Sequence, residues 1–474
     1  MLPSSYIEEL KAIPHFDIEA YLEALRQSPT RGLHLNLTSA DLSTAKAAVE
    51  RELGKDTLTP LGYTKDGFLF QTEKAVGQLP LHHAGAYYMQ EPSAMCPVAC
   101  LPLKKGMRVL DLCAAPGGKS TQIANRIGEE GLLVANEINH SRCSILAGNI
   151  ERMGIRNAVV TNTDAETFAR YFPAYFDAVV VDAPCSGEGM FRKMPESLSD
   201  WGADSPAVCA KRQLEILSYA AETVKAGGYV VYSTCTFSKC ENEDVVAEFL
   251  RTHPDFSILS VPEEVQKVTV SGIEERDLPL SKTRRFYPYL AQGEGQYMAL
   301  LQKAEEDTKT EPKQKKKKDK KDSQRKPTAD EVKEKQVAAD FLVECLQKGN
   351  TLAAHPFKAG YVLPPSAILQ EKQVVFPLPS EHIYAFGVKI GEVRKGRVIP
   401  YHHFFTAYGR DFKTKLSLSG QDPLVFSYLK GDVIPCDTGN GWGVILVDGY
   451  ALGGIKVSLG MAKNHYPTGL RTHN

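Results

Sequence analysis

Residues 107–121 read MRVLDLCAAPGGKST. The apolar run from Met107 to Leu112 has the length of a buried strand, and Gly117 and Gly118 turn it into a stretch of helical composition. A strand that passes through glycine into a helix opens a nucleotide-type α/β unit. The tail Gly118-Lys119-Ser120 also ends a phosphate-binding P-loop. That pattern, GxxxxGK[ST], needs a glycine at its head so that the backbone can curl around phosphates. Cys113 stands at the head position, and Ala114, Ala115 and Pro116 fill the rest. A nucleoside triphosphate site then rests only on DAVVVD, 177–182, which would pass for a magnesium-binding strand end.

Outward from this loop the pattern repeats. Strands are expected at Met107 to Cys113, Leu132 to Ile138, Ala158 to Thr163, Phe176 to Val181 and Tyr229 to Ser233. Helices are expected at Gly118 to Ile127, His140 to Met153, Pro206 to Lys225 and Asn242 to His253. Short apolar strands alternating with helices predict a Rossmann-like, doubly wound α/β core with its ligand at the carboxyl ends of the strands.

The chain has 474 residues, more than one hydrophobic core usually organises, so several domains are expected. The predicted division is 1–85, a small α+β lobe; 86–303, the α/β domain; 304–329, a linker; 330–375, a helical or α+β connecting segment; and 376–474, a β-rich end domain. In the end domain Asp448-Gly449 is placed as a hairpin turn. The linker is set by charge: Lys309 to Lys326 carries ten Lys or Arg against three acids, a local +7 in a chain whose net charge is -1. Such a block cannot bury apolar surface, and it is either a solvated tether or an arm for phosphates. No segment has the look of a signal or a membrane span, and ten cysteines without a CxxC pair suit reduced thiols, so a cytoplasmic protein is expected. The pairs His82-His83 and His402-His403 and the remaining cysteines lack metal-ligand spacing, so no metal is predicted.

Three acids each follow a successive strand: Glu137, Asp164 and Asp182. Glu137 comes nineteen residues after Gly118, where dinucleotide folds bind ribose hydroxyls. Asp164 can accept from an adenine amino group. A glycine turn with these acids suits S-adenosylmethionine, a nucleoside without phosphate, with Cys113, Ala114, Ala115, Pro116, Gly117, Gly118 and Lys119 forming its loop. Two further stretches, DAPCSGEGMFRK (182–193) and STCTFSKCENE (233–243), put Cys185 and Cys235 at the same sheet edge.

DLCAAPGGKS, NEIN, VVDAPCSGEGMFRK and YSTCTFSKCENE, with QEPSAM at 90–95 and GEGQYMALLQK at 293–303, resemble the NOL/NOP/Sun family of RNA 5-methylcytosine methyltransferases over roughly residues 1–303. The ending ALGGIKVSLGMAKNHYPTGLR looks like the PUA-like RNA-binding module of the bacterial RsmF-like branch, which modifies small-subunit ribosomal RNA. Ser120 stands where the family often has Thr, and RRFYPYL replaces a more usual Trp-Pro-His. The resemblance implies a monomeric enzyme that binds RNA rather than DNA or membrane. It assigns Cys235 as the nucleophile and Cys185 to product release. Thiol chemistry alone leaves the two roles open: one cysteine adds to the ring, and the other can help take the carbon 5 proton or expel the first. Asp182 can steady the polar edge of the base while bordering the cofactor. The alternative is an RNA-binding ribosome-assembly factor for which methylation is secondary.

Overall fold

The computed structural model describes residues 2–305, 328–370 and 373–472. The basic block Lys309 to Lys326 lies outside them. Seven strands carry the central sheet: β1 (Arg108–Asp111), β2 (Leu132–Asn136), β3 (Ala158–Thr161), β4 (Phe176–Asp182), β5 (Val224–Thr234), β6 (Gln296–Lys303) and β7 (Ile383–Phe386). Their order is β6-β5-β4-β1-β2-β3-β7, with short strands extending the sheet beyond β6. The first five are parallel, and β6 and β7 run antiparallel at the two sides. The chain moves outward from β1 to β3, then returns to lay β4 on the other side of β1. This reversal opens the crevice that ligands of doubly wound sheets occupy.

Alternation along each strand explains the two faces. Val109, Leu133, Ala135 and Val180 pack with Ile123, Ile127, Leu146 and Ile150 of the helices Gly118–Ile127 and His140–Arg152. Leu110, Val134, Val159 and Val179 pack on the opposite face with Phe168, Phe172, Leu217 and Phe249. Strands covered on both faces read as unbroken apolar runs, which is why they were visible in the sequence. Helix bounds match the expectation at Gly118–Ile127 and differ by one or two residues elsewhere. The strand predicted from Tyr229 begins earlier, at Val224, through two glycines that gave no strand signal.

Two domain boundaries move. The lobe expected to end at residue 85 continues to Tyr87–Met89, which pairs with Gly32–Leu35 as an edge of the lobe's four-stranded sheet. The end domain expected from 376 is split by its own strands. β7 is added to the central sheet against β3, and Val388–Arg394 pairs with Gly360–Leu363 of the supposed connecting segment. A separate five-stranded sheet begins only at Thr414–Leu418. Backbone pairing made these assignments, and a four-residue apolar run cannot announce its partner. In that last sheet Asp448 and Gly449 form the expected turn, both at positive φ (46° and 86°) between Gly441–Val447 and Tyr450–Ser458.

The two ends of the chain meet. Leu33, Leu35, Val49 and Leu53 of the N-terminal lobe share one core with Tyr428, Ile445, Leu452 and Ile455. Helices Ser4–Ala12 and Ile18–Arg26 instead pack Tyr6 and Tyr21 against Phe191, Phe237 and Tyr287, beneath the loops that follow β4 and β5. No described helix is long and apolar enough to cross a membrane.

Candidate active site

The loop after β1 is held by its neighbours' backbone. Ala114 N–H donates to the Asn136 carbonyl at 2.8 Å, and Gly117 turns the chain at φ 119°, where a side chain would be strained. The Asn136 side-chain amide donates to Leu112 O (3.1 Å) and Thr163 O (2.9 Å), so one residue ties together the ends of β1, β2 and β3. Arg142 and Asn149 donate to Ala115 O and Pro116 O, each at 2.9 Å, and fix the outer side of the loop.

Acids gather inside this frame. Asp111 is fully buried; Ser120 Oγ donates to its Oδ2 at 2.6 Å, while Oδ1 has no hydrogen-bond partner. Burial raises its pKa to about 7, with Asp182 and Glu137 adding to the rise and Ser120 and Lys119 opposing it. Asp182 accepts from Lys119 Nζ (2.7 Å), Ser233 Oγ (2.7 Å) and Gln296 Nε2 (3.2 Å). Glu137 is 3% exposed, accepts from Asn139 N–H at 2.8 Å and lies 3.5 Å from Arg142. Cys113 sits among these carboxylates: desolvation, then Asp111, Asp182 and Glu137, push its thiol pKa up. Burial works against the charge of Lys119, but Asp182, Asp111 and Cys235 more than offset it and leave its pKa above the ordinary value. Asp164 stands apart. Its carboxylate is exposed and caps the helix Ala165–Tyr171, accepting from Thr167 N–H (2.7 Å) and Thr167 Oγ1 (3.1 Å). Three carboxyls around Cys113, two of which also act on the Lys119 ammonium, favour a cationic ligand and disfavour a polyphosphate, which leaves the P-loop alternative without support.

The two thiols come from different loops and meet. Cys185 Sγ and Cys235 Sγ are 3.3 Å apart. The hydrogen bond with Cys235, then burial, raises the Cys185 pKa well above the usual thiol value. Gly189 N–H donates to Cys235 O at 2.8 Å, and a Cβ on Gly189 would approach that oxygen to 2.8 Å and the Gly295 Cα to 2.9 Å.

Behind the thiols lies a buried network that the sequence does not announce. Glu241, fully buried, accepts from Ser186 N–H (3.0 Å), from Ser186 Oγ and from Gln213 Nε2 (2.8 Å). Gln213 also holds Pro184 O at 3.0 Å, and Tyr232 OH donates to Glu241 O at 2.6 Å. These bonds fix both sides of Cys185. Glu188 accepts from Phe237 N–H (3.1 Å) and Trp201 Nε1 (3.2 Å), and burial raises its pKa to about 7. Glu241 lies within STCTFSKCENE, but only the fold shows that its side-chain partners include Gln213, 28 residues upstream, and Ser186, 55 residues upstream. One histidine of each pair is tied into the fold: His83 Nδ1 meets Tyr466 OH at 3.0 Å and His403 Nε2 meets Ile155 O at 3.3 Å.

Family models match three stretches: the N-terminal domain of 16S rRNA methyltransferase RsmF over residues 2–92, 16S rRNA methyltransferase RsmB/F over 98–302, and the methyltransferase RsmF PUA domain over 415–472. Over residues 98–302 the chain matches the RsmB/F methyltransferase family. Its RsmF-type parts include both flanking domains, in the same order. Among relatives, ribosomal RNA small subunit methyltransferase F of Escherichia fergusonii is 42% identical over 205 residues, covering 42% of this chain and 43% of the relative. The protein of the same name from Vibrio vulnificus strain YJ016 is 34% identical over 309 residues, 64% of each chain. Both alignments span less than two thirds of the relatives' own length. A solved methyltransferase homologue from Pyrococcus horikoshii shares the fold at TM-score 0.54 and 23% identity, covering 64% of this chain and 100% of its own. NSun6 from Pyrococcus horikoshii does so at TM-score 0.54 and 18% identity, covering 64% and 99%.

Proposed function

We propose that this chain is an S-adenosylmethionine-dependent RNA (cytosine-5) methyltransferase that acts on small-subunit ribosomal RNA as a cytoplasmic monomer. The observation that carries the reading is the pair of thiols 3.3 Å apart at the rim of an acid-lined crevice. The crevice fits the cofactor: Glu137 and Asp182 both act on Cys113 in the loop after β1, where carboxylates favour a sulfonium. In this reading Cys113, Ala114, Ala115, Pro116, Gly117, Gly118 and Lys119 cradle the cofactor and Glu137 takes the ribose hydroxyls. Asp164 takes the adenine amino group through a lone pair left free by its capping bonds, and Asp182 borders the amino-acid end. When bound, S-adenosylmethionine supplies an electrophilic methyl group.

Carbon 5 of cytosine is a weak nucleophile until another group adds at carbon 6. Cys235, as thiolate, forms the S–C6 bond and pushes the C5=C6 electrons onto carbon 5, which then takes the methyl group. A base then takes the carbon 5 proton, the C5–H electrons restore the double bond, and the C6–S bond breaks to release Cys235 as thiolate. The division follows the family resemblance, and the geometry supports it by setting the Cys185 sulfur 3.3 Å from that of Cys235. Lys119 lies close enough for the charge on Cys235 to act on it, and so favours the anion. Cys185, with its sulfur 3.3 Å from the departing one, is assigned to the release step. Asp182 steadies the polar edge of the base. The target cytosine must be single-stranded or flipped out, because stacking covers carbon 6.

Mapping 5-methylcytosine in ribosomal RNA from cells with and without the protein tests the reading. Loss of a methylated small-subunit cytosine is expected. Identical maps, together with no transfer to purified rRNA or subunits in vitro, would leave a ribosome-assembly role instead.

A further inference from the structure

A groove of about 470 Å³ lies on the seam between the central sheet and the sheet that runs from His355 to Pro400. Lys358, Lys389, Tyr384, Tyr401 and His402 line it, and Glu151 of the helix His140–Arg152 closes its floor. The first five fall between residues 303 and 414, between the stretches that the family models match. We propose that this groove binds a nucleotide of single-stranded RNA flanking the target site, with its base stacked on tyrosine and its phosphate held by the two lysines. The proposal rests on the reading of the chain as an RNA methyltransferase.

The lining has the chemistry that single-stranded RNA requires. Tyr384 and Tyr401 are half-buried, so each ring is fixed by packing yet keeps an open part. Any base can stack on such a ring, which makes the interaction tolerant of sequence. Lys358 is exposed and Lys389 half-exposed, and neither makes an ion pair among the described residues. Glu151 is the acid in the groove; it is half-buried, and Lys389 lies close enough to oppose its charge. Gly360 keeps the wall low: a Cβ there would meet Gly391 O at 2.8 Å and Tyr401 Cε2 at 3.5 Å.

His402 gives an independent pointer. It is 8% exposed and lines the groove, and its Nδ1 has no hydrogen-bond partner among the described residues. Buried polar atoms in folded proteins are almost always paired, so this one points to a group that arrives with a ligand. Burial, then His83, lowers its pKa to about 4, so the ring is neutral and can meet a base edge or a ribose hydroxyl. The volume lies in the range of about 300–1,000 Å³ found for small-ligand sites, which suits a nucleotide rather than a folded domain.

The groove also lies in the right place. Tyr384 meets His140 edge to face at 5.4 Å, at the first turn of the helix whose cap, Asn139, is bonded to Glu137. Lys358 lies close enough to the same helix to act on Cys143. RNA seated here therefore runs beside the acid-lined crevice.

The test uses the full-length protein with a fluorescein-labelled single-stranded RNA of about twelve nucleotides, read by anisotropy. Tyr384→Ala and Tyr401→Ala should each weaken binding about five- to a hundredfold, while Tyr401→Phe keeps it. The double variant Lys358→Ala/Lys389→Ala should lower the salt slope by about 0.7 for each phosphate that is no longer neutralised. Binding of S-adenosylhomocysteine, followed by calorimetry, should not change. Photo-crosslinking of 4-thiouridine RNA should mark Tyr384 or Tyr401. Unchanged affinity in all these variants, with crosslinks elsewhere, would overturn the proposal. So would variants that bind naked RNA normally but lose the assembled small subunit, because the groove would then take a protein. Wild-type protein that transfers no methyl group to rRNA or to the subunit refutes the underlying function, whereas normal transfer with unaffected groove variants refutes the groove alone.

Discussion

Cys185 and Cys235 are fifty residues apart in the chain and 3.3 Å apart at sulfur, so each can be tested against the other. Cys235→Ala should abolish methyl transfer while leaving cofactor affinity nearly unchanged, since without addition at carbon 6 no nucleophilic carbon 5 forms. Cys185→Ala should still add and methylate but release slowly, accumulating a protein–RNA adduct that survives denaturing electrophoresis. The double variant should show no adduct; an adduct that forms with Cys235→Ala and needs Cys185 would reverse the two roles. Glu137→Ala should weaken S-adenosylhomocysteine by about 1.5–3 kcal/mol, roughly ten- to a hundredfold by calorimetry, because it removes charge-assisted hydrogen bonds to the ribose. Asp111 gives a pH signature. Its folded pKa of about 7 exceeds the ordinary carboxyl value, so between those values the folded chain holds a proton that the unfolded chain has released. Stability therefore falls as pH rises toward 7, and Asp111→Asn should flatten that fall. Melting temperatures of both proteins from pH 5 to 8 check this; parallel curves would show that native Asp111 is ionised throughout.

At the scale of elements, the loops after β4 and β5 work as one piece because their backbones touch. Gly189 leaves no room for a side chain against Cys235 O. Gly189→Ala should displace the Cys235 loop by a fraction of an ångström and cut the rate of transfer by up to about a hundredfold, with cofactor affinity retained. Stopped single-turnover assays beside calorimetry separate the two effects. This pairing also shows where legibility ended. That the β1 loop, Glu137, Asp182 and both cysteines gather at one edge was readable, because they lie at or just after the ends of apolar strands and parallel strands bring their ends together. Asp164 was read in the same way, yet the structure finds its oxygens engaged in capping a helix. Asn136, Gln213 and Glu241 were not readable. Their roles are hydrogen bonds to the backbone of distant loops, and polar residues of these types are ordinarily on the surface.

For the whole molecule, separate modules give way to a chain closed on itself. The expected arrangement of a catalytic domain, a tether and an end domain treated residue 303 as a place to cut. The structure instead places β7 on the edge of β3 and joins Tyr428, Ile445, Leu452 and Ile455 to the N-terminal lobe. A chain ending at Lys303 should therefore lack this packing, in which each buried side chain contributes about 1.5–3 kcal/mol, and bare a strand edge. It should melt at a markedly lower temperature than the full chain and aggregate, which light scattering during a thermal ramp would detect; an equal melting temperature would show that the end domain adds nothing to the core. The stitch made by β7 also carries a consequence in time. β6 ends at Lys303 and β7 begins at Ile383, so a ribosome adding about 5–20 residues per second makes β3 wait roughly 4–16 seconds for its outer neighbour. During that interval the nascent chain has its catalytic loops but an open flank, and the speed of translation through the lysine-rich stretch sets how long the flank stays open.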